Sequence, residues 1–214
     1  MAVPSSRTRV DLGRLIMIPG AALVLLLDLR ALARTVSAGG WARLPGTFLI
    51  CAFYVLVIWC YMRRRPAVAT SPSVTAHVAA VAATLAPLLF PLLPATAPGP
   101  ARQIAGDVLL TLGMAWSVWA LRSLGRSLSV IAQAREVVEW GPYRWIRHPL
   151  YTGEIVSSLG IAVMVGSAAA AALWLALCGL QVYRAVREEQ VLLLALPAYL
   201  GYRSRTAALL PGVF

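Results

Sequence analysis

The sequence predicts an all-α integral membrane protein with four transmembrane helices, a C-terminal membrane helical hairpin and a cytoplasmic cap over the hairpin's open end. Three observations carry that expectation. Of 214 residues, 60% are hydrophobic and 13% charged, whereas soluble domains run near one half and one quarter; the mean hydropathy is +0.76. Long apolar runs recur along most of the chain, leaving no room for a separate soluble domain. Two polar clusters, "GPYRWIRHPLYTGE" and "RAVREEQ", interrupt the apolar second half about thirty residues apart.

A helix needs about 20 apolar residues to cross the hydrocarbon core. Leu15 to Ala33, Leu44 to Met62, Val74 to Leu93 and Ile104 to Leu121 each satisfy this. "ARTVSAGGWARLPG", "RRRPAVATSPS" and "PATAPGPARQ" separate them with the Gly, Pro and Ser that punctuate helices. The charged N-terminal lead and first run have the outline of a signal peptide, but no clear A-x-A cleavage site follows, so the run is expected to stay as the first helix. A fifth region, Ile155 to Tyr183, would extend roughly 43 Å as one straight helix and overshoot the core. It is expected to fold back at Gly166 and Ser167, with the small residues Ala168 to Ala172 letting the arms pack closely.

The net charge of +11 comes from nineteen basic residues, all arginine, against eight acids. These arginines flank apolar runs and form no continuous solvated stripe, so nucleic acid is not the expected partner; membrane lipids are. Arg63 to Arg65 and the arginines between Arg122 and Arg147 mark the cytoplasmic side, together with Arg7, Arg9 and Arg14. Both termini are then cytoplasmic, while Arg30, Arg34 and Arg43 fall outside and disagree with the rule. Cys51, Cys60 and Cys178 sit in apolar stretches without CxxC spacing or a neighbouring histidine, which reads as buried thiols and no metal site. Asp28 and Asp107 read as facing water or a neighbouring helix, and His77 as a packing residue.

A folded-back hairpin brings Arg147, His148, Glu154, Arg187, Glu188 and Glu189 together at the cytoplasmic surface. Ionisable groups at membrane depth tend to line a cavity or meet partners. The inventory offers arginines for a carboxylate, acids for an ammonium or a ribose, and tyrosines for stacking, which suits a zwitterionic, adenosine-bearing cofactor. No G-x-G-x-x-G fingerprint is present, so such a ligand would be held between helices. The less polar-poor segment "SLGRSLSVIAQAREVVEWGPYR" would cap it, with Gln133, Arg135 and Tyr143 as candidate contacts. Tyr199 and Tyr202 share a face of a final helix, and Tyr202 joins the candidate cofactor set; an aromatic belt at the interface is the alternative for both.

The string "GPYRWIRHPLYTGE" resembles the R-H-P-x-Y-x-G signature of the isoprenylcysteine carboxyl methyltransferase and phospholipid methyltransferase superfamily, and "REEQVLL" resembles its E-E-x-x-L element. The likeness runs from about Leu124 to Pro211, and departs where Leu196 and Pro197 stand in place of a common Phe-Gly. It implies a membrane-embedded enzyme that takes S-adenosylmethionine from the cytosol and methylates a lipophilic acceptor entering from the bilayer, such as the carboxylate of a prenylated cysteine or another lipid. On the matching positions, His148, Tyr151 and Gly153 would contact the cofactor, Glu188 or Glu189 would close the pocket, and Arg147 opens the signature. Glu154 joins the cofactor-binding candidates. Arg187, Glu188 and Arg205 are the catalytic candidates, the two arginines as anchors for an anionic acceptor. Residues 1–123 would then form the acceptor side and 124–214 the catalytic region with its cofactor-binding cap. The lysine-free, Ala- and Arg-rich composition points to a bacterial inner membrane. A reductase using NADPH, on the architecture of the sterol reductases, and a non-enzymatic lipid-binding protein are the competing readings.

Overall fold

The computed structural model describes residues 12–210; Arg7, Arg9 and Pro211 lie outside them. Seven α-helices follow one another: α1 (Leu12–Ser37), α2 (Leu44–Arg63), α3 (Val74–Leu85), α4 (Pro100–Leu124), α5 (Pro149–Val165), α6 (Ala168–Ala195) and the short α7 (Ala198–Arg203). Five spans are long and apolar enough to cross a membrane, namely α1, α2, α3 with its extension, α4 and α6, as an integral membrane protein requires; α5, with 17 residues, is shorter. Apolar side chains along α1, Leu15, Ile16, Leu23 and Leu26 among them, are exposed and suited to lipid.

Local chemistry sets the helix ends. Pro45 and Pro100 occupy the first turns of α2 and α4, where a missing N–H costs nothing. Ser73 caps α3, its hydroxyl accepting from the Ala76 amide at 3.2 Å. The third span departs from the expected single α-helix to Leu93. It becomes a 3-10 helix over Ala86–Leu92, because Pro87 and Pro91 supply no amide for the i−4 bonds.

The fifth apolar region folds back where expected. Gly166 ends α5 in the left-handed conformation (φ 66°), and Ser167 starts α6 by accepting from the Ala170 amide at 3.2 Å. Around the bundle, α1 packs on α2, α2 on α4, α4 on α5, α5 on α6 and α6 on α3. The α4–α5 crossing is the closest: a Cβ on Gly153 would lie 2.9 Å from the Gly113 carbonyl, and one on Gly106 would lie 2.8 Å from the Gly160 carbonyl. Bare backbones meet there, as small residues allow between membrane helices.

The two ends of the bundle differ. At the hairpin turn, Thr96 donates its amide to the Val165 carbonyl at 3.0 Å. At the other end the loops knit into a cap. Residues 69–70 (β1) and 133–134 (β2) pair antiparallel, Ala69 opposite Ala134, with Val68 donating to the Ala134 carbonyl at 2.8 Å and Ser71 to that of Ala132 at 2.9 Å. Arg126 Nε donates to the Arg63 carbonyl at 3.0 Å. The "RRRPAVATSPS" linker, which the sequence marks only as a separator with a cytoplasmic charge cluster, is therefore half of the cap.

Candidate active site

Distance from the turn decides which residues meet. His148 precedes α5 and Glu189 lies late in α6, about 27 Å and about 33 Å from the turn at 1.5 Å per residue, so the antiparallel arms carry both to the same level. Glu189 Oε1 accepts from Arg147 Nε at 2.7 Å and lies 3.2 Å from His148 Nε2, while its Oε2 lies 3.1 Å from Arg203 Nε. Glu188 Oε2 accepts from the Tyr151 hydroxyl at 2.8 Å and lies 3.6 Å from His148 Nδ1. The imidazole and the Tyr151 ring stack at 5.4 Å with 3° between their planes.

A strap of backbone fixes the signature from outside. Arg147 and His148 donate their amides to the Ala207 and Ala208 carbonyls at 2.8 and 3.0 Å, and Thr152 Oγ1 donates to that of Leu209 at 2.9 Å. The Arg147 guanidinium also donates to the carbonyls of Arg203 and Thr206. With Glu189 on Nε and two carbonyls on NH1, Arg147 is anchored to protein through three of its five N–H groups.

A cleft opens between this cluster and the cap. Arg147, His148, Tyr151 and Glu188 line it from the hairpin side, and Gln133, Arg135 and Tyr143 from the cap. Tyr199 and Tyr202 line it from α7, and both are buried, not spread along an interfacial belt. Tyr202 donates its hydroxyl to the Tyr143 carbonyl at 2.6 Å. Tyr199, 2% exposed, leaves its hydroxyl without a hydrogen-bond partner among the described residues; burial, then the Glu189 charge, push its phenol up, so it stands as a protonated donor. Burial pulls the His148 imidazole down, but its hydrogen bonds and charge contacts with Glu188 and Glu189 outweigh that, and the net shift is upward.

Other candidates lie elsewhere. Gly153 faces α4, where its missing Cβ admits Ser117 and the Gly113 carbonyl. Glu189 sits behind the cleft as an anchor for two arginines and His148. Glu154 points deeper into the bundle, toward Gln181. Arg187 turns away, 5.0 Å over the Tyr183 ring and 3.1 Å from Gln190 Oε1. Arg205 pairs with Glu139 on the exposed rim. Gln181 and Arg184 belong to the surroundings of the site and carry no role in the sequence reading, whereas Tyr199 enters it only beside Tyr202, on a shared helix face. The available signal was the polar residues at 181, 184 and 188 of α6, three and four apart and hence on one face.

Comparison with known proteins identifies the region that holds this geometry. Residues 101–195 match the phospholipid methyltransferase family. The match spans α4 to α6, and so begins earlier than the signature and ends before α7. It supports a membrane methyltransferase. Over 108 residues the chain is 36% identical to the cobalt-zinc-cadmium resistance protein CzcN of Cupriavidus metallidurans and 35% identical to the nickel-cobalt-cadmium resistance protein NccN of Alcaligenes xylosoxydans xylosoxydans. Each match covers 50% of this chain and 46% of the relative, so the chain spans about half the length of the curated relatives it matches. Within the matched region, the signature supplies the start of α5 and the twin glutamates supply the end of α6; the cap residues 125–148 join α4 to α5 inside the same region.

Proposed function

We propose that the protein is an S-adenosylmethionine-dependent methyltransferase of the membrane, acting on a lipophilic acceptor that reaches the site from the bilayer. The observation that carries the reading is the cleft itself: a carboxylate, a buried imidazole, a cap arginine and an unpartnered buried phenol converge where apolar helices end. The donor set fits such a cofactor. Arg135, whose Nε is buried and has no hydrogen-bond partner among the described residues, would face its carboxylate, Glu188 its ammonium or ribose, and Tyr199 an acceptor oxygen of the carboxylate or the ribose. Gln133 and Tyr143 would complete the cap side, and His148 and Tyr151 the floor.

When bound, S-adenosylmethionine supplies an electrophilic methyl group on a sulfonium centre. The residues position and shield. The α5–α6 hairpin fixes Glu188 and the His148–Tyr151 stack at one height, and holding two reactants at near-attack distance can lower the barrier by about 7 to 11 kcal/mol. Leu124, Val138 and Leu150 on the cleft wall exclude water, a competing nucleophile. Apolar α1 to α4 would offer the acceptor its hydrocarbon surroundings, be it a prenylated-cysteine-like lipid or another. Arg63, Arg64, Arg65 and Arg126 at the cap end support an orientation with that end in the cytoplasm, on the inner membrane of a bacterium.

Calorimetry on the purified protein tests the reading. S-adenosylmethionine is expected to bind, and Glu188→Gln and Tyr199→Phe each to weaken it by about tenfold, roughly 1.4 kcal/mol. Unchanged affinity in both variants, or stabilisation by NADPH with none by S-adenosylmethionine, overturns it.

A further inference from the structure

A second polar cluster lies one helical turn below the cleft, among the membrane helices. Glu154 Oε2 accepts from Gln181 Nε2 at 2.6 Å and lies 3.9 Å from Arg184 NH1. Gln181 is fully buried and accepts from Arg184 NH1 at 3.0 Å. Arg184 in turn donates to the Val130 carbonyl of the cap at 3.1 Å, and its guanidinium lies 4.5 Å over the Tyr151 ring. Glu154 is within electrostatic reach of Tyr54 of α2 on one side and of Glu188 on the other. The cluster is thus tied to the floor of the cleft through Tyr151 and to its roof through Val130.

Ionised groups at this depth are costly, and apolar residues of similar volume would serve stability as well or better. Both contacts of Glu154 fall on Oε2, leaving Oε1 for a ligand, and the side chain stays 28% accessible inside a bundle of apolar helices. An oriented, reachable carboxylate directly beneath a cofactor cleft has the placement of a proton acceptor. Resting on the methyltransferase reading above, we infer that Glu154 is the acceptor-side base, selecting a lipophilic acceptor whose nucleophilic atom carries a proton, a hydroxyl, phenol or amine, over an anionic carboxylate. As the acceptor oxygen or nitrogen bonds to the methyl carbon, the donor's carbon–sulfur bond breaks with its electron pair on sulfur, and the acceptor proton passes to Glu154 Oε1. Gln181 and Arg184 are positioning residues that aim the carboxylate. An acceptor carboxylate has no proton to give and meets Glu154 as a like charge.

The test uses the full chain in phosphatidylcholine bilayers, methyl-labelled S-adenosylmethionine, and three probes: 4-dodecylphenol, hexadecylamine and an S-farnesyl cysteine carboxylate. Label is expected on the phenol or the amine and not on the carboxylate. Glu154→Gln is expected to keep donor affinity within about twofold while kcat falls on the order of 10² to 10⁴ with KM little changed, the range of general-base contributions; Glu154→Asp should recover part of kcat. Wild-type kcat in Glu154→Gln, a loss of donor affinity matching Glu188→Gln, label on the carboxylate alone, or label on neither proton-bearing probe overturns the inference, with donor binding by the wild type intact. A wild type that binds no S-adenosylmethionine overturns the methyltransferase reading and this inference with it.

Discussion

Two adjacent glutamates do different work. Glu189 neutralises Arg147 and Arg203 and bonds to His148, whereas Glu188 faces the cleft. Glu189→Gln strips the charge opposite a buried guanidinium, and breaking a buried pair costs roughly 3 to 5 kcal/mol; a clearly lowered thermal midpoint in detergent is expected. Glu188→Gln leaves the Arg147 anchor whole, so its midpoint should stay near wild type while donor affinity falls. His148 adds a pH dependence. Its folded value is raised, so the stabilisation from charged His148 is complete below the unfolded value of about 6.5 and is lost as pH rises through the folded one. The midpoint gap between wild type and His148→Gln should therefore be wider at pH 6 than at pH 9, and an equal gap at both would refute the assignment. The glutamate pair was legible in the sequence, but its division of labour was not. Neighbours on a helix point about 100° apart, and only the packing of α5 decides which one meets the cleft.

Among elements, the hairpin was the most readable, because a glycine followed by a serine is a local signal and 29 apolar residues exceed one crossing. Gly166→Ala forces a side chain into the left-handed region at a cost of about 1 to 2 kcal/mol. Since Gly166 lies at the end remote from the cleft, the midpoint should fall with donor affinity unchanged. Gly153 belongs to the opposite case: it stands inside the signature, yet it serves the α4–α5 crossing. Gly153→Ala should lower the midpoint, through the roughly 1 to 3 kcal/mol lost at an overpacked contact where Ser117 and the Gly113 carbonyl must yield. The 3-10 stretch at Pro87 and Pro91 and the Gln181–Arg184 pair escaped the sequence reading for different reasons. Hydropathy does not register helix type, and Glu154 lies 27 residues from its partner Gln181.

At the level of the molecule, the cap depends on contacts no periodicity reveals. The α2–α3 linker and the α4–α5 segment pair through two residues each, too short for any strand pattern. Val68→Pro removes the amide that bonds to Ala134, one hydrogen bond of about 1 kcal/mol. The expected result is donor binding weakened several-fold, faster hydrogen exchange over residues 130–135, and a midpoint almost unmoved. Exchange unchanged there would show that the cap is held by other means.

The backbone strap over the signature carries a further consequence, for biosynthesis. Thr152 and its carbonyl partner Leu209 are 57 residues apart, so at about 5 to 20 residues per second the ribosome emits the signature roughly 3 to 11 seconds before the segment that clamps it. Throughout that interval the nascent hairpin can already sit in the bilayer with the Arg147 guanidinium short of two of its carbonyls. A translocating ribosome thus delivers the membrane portion first and the finished ligand site only afterwards.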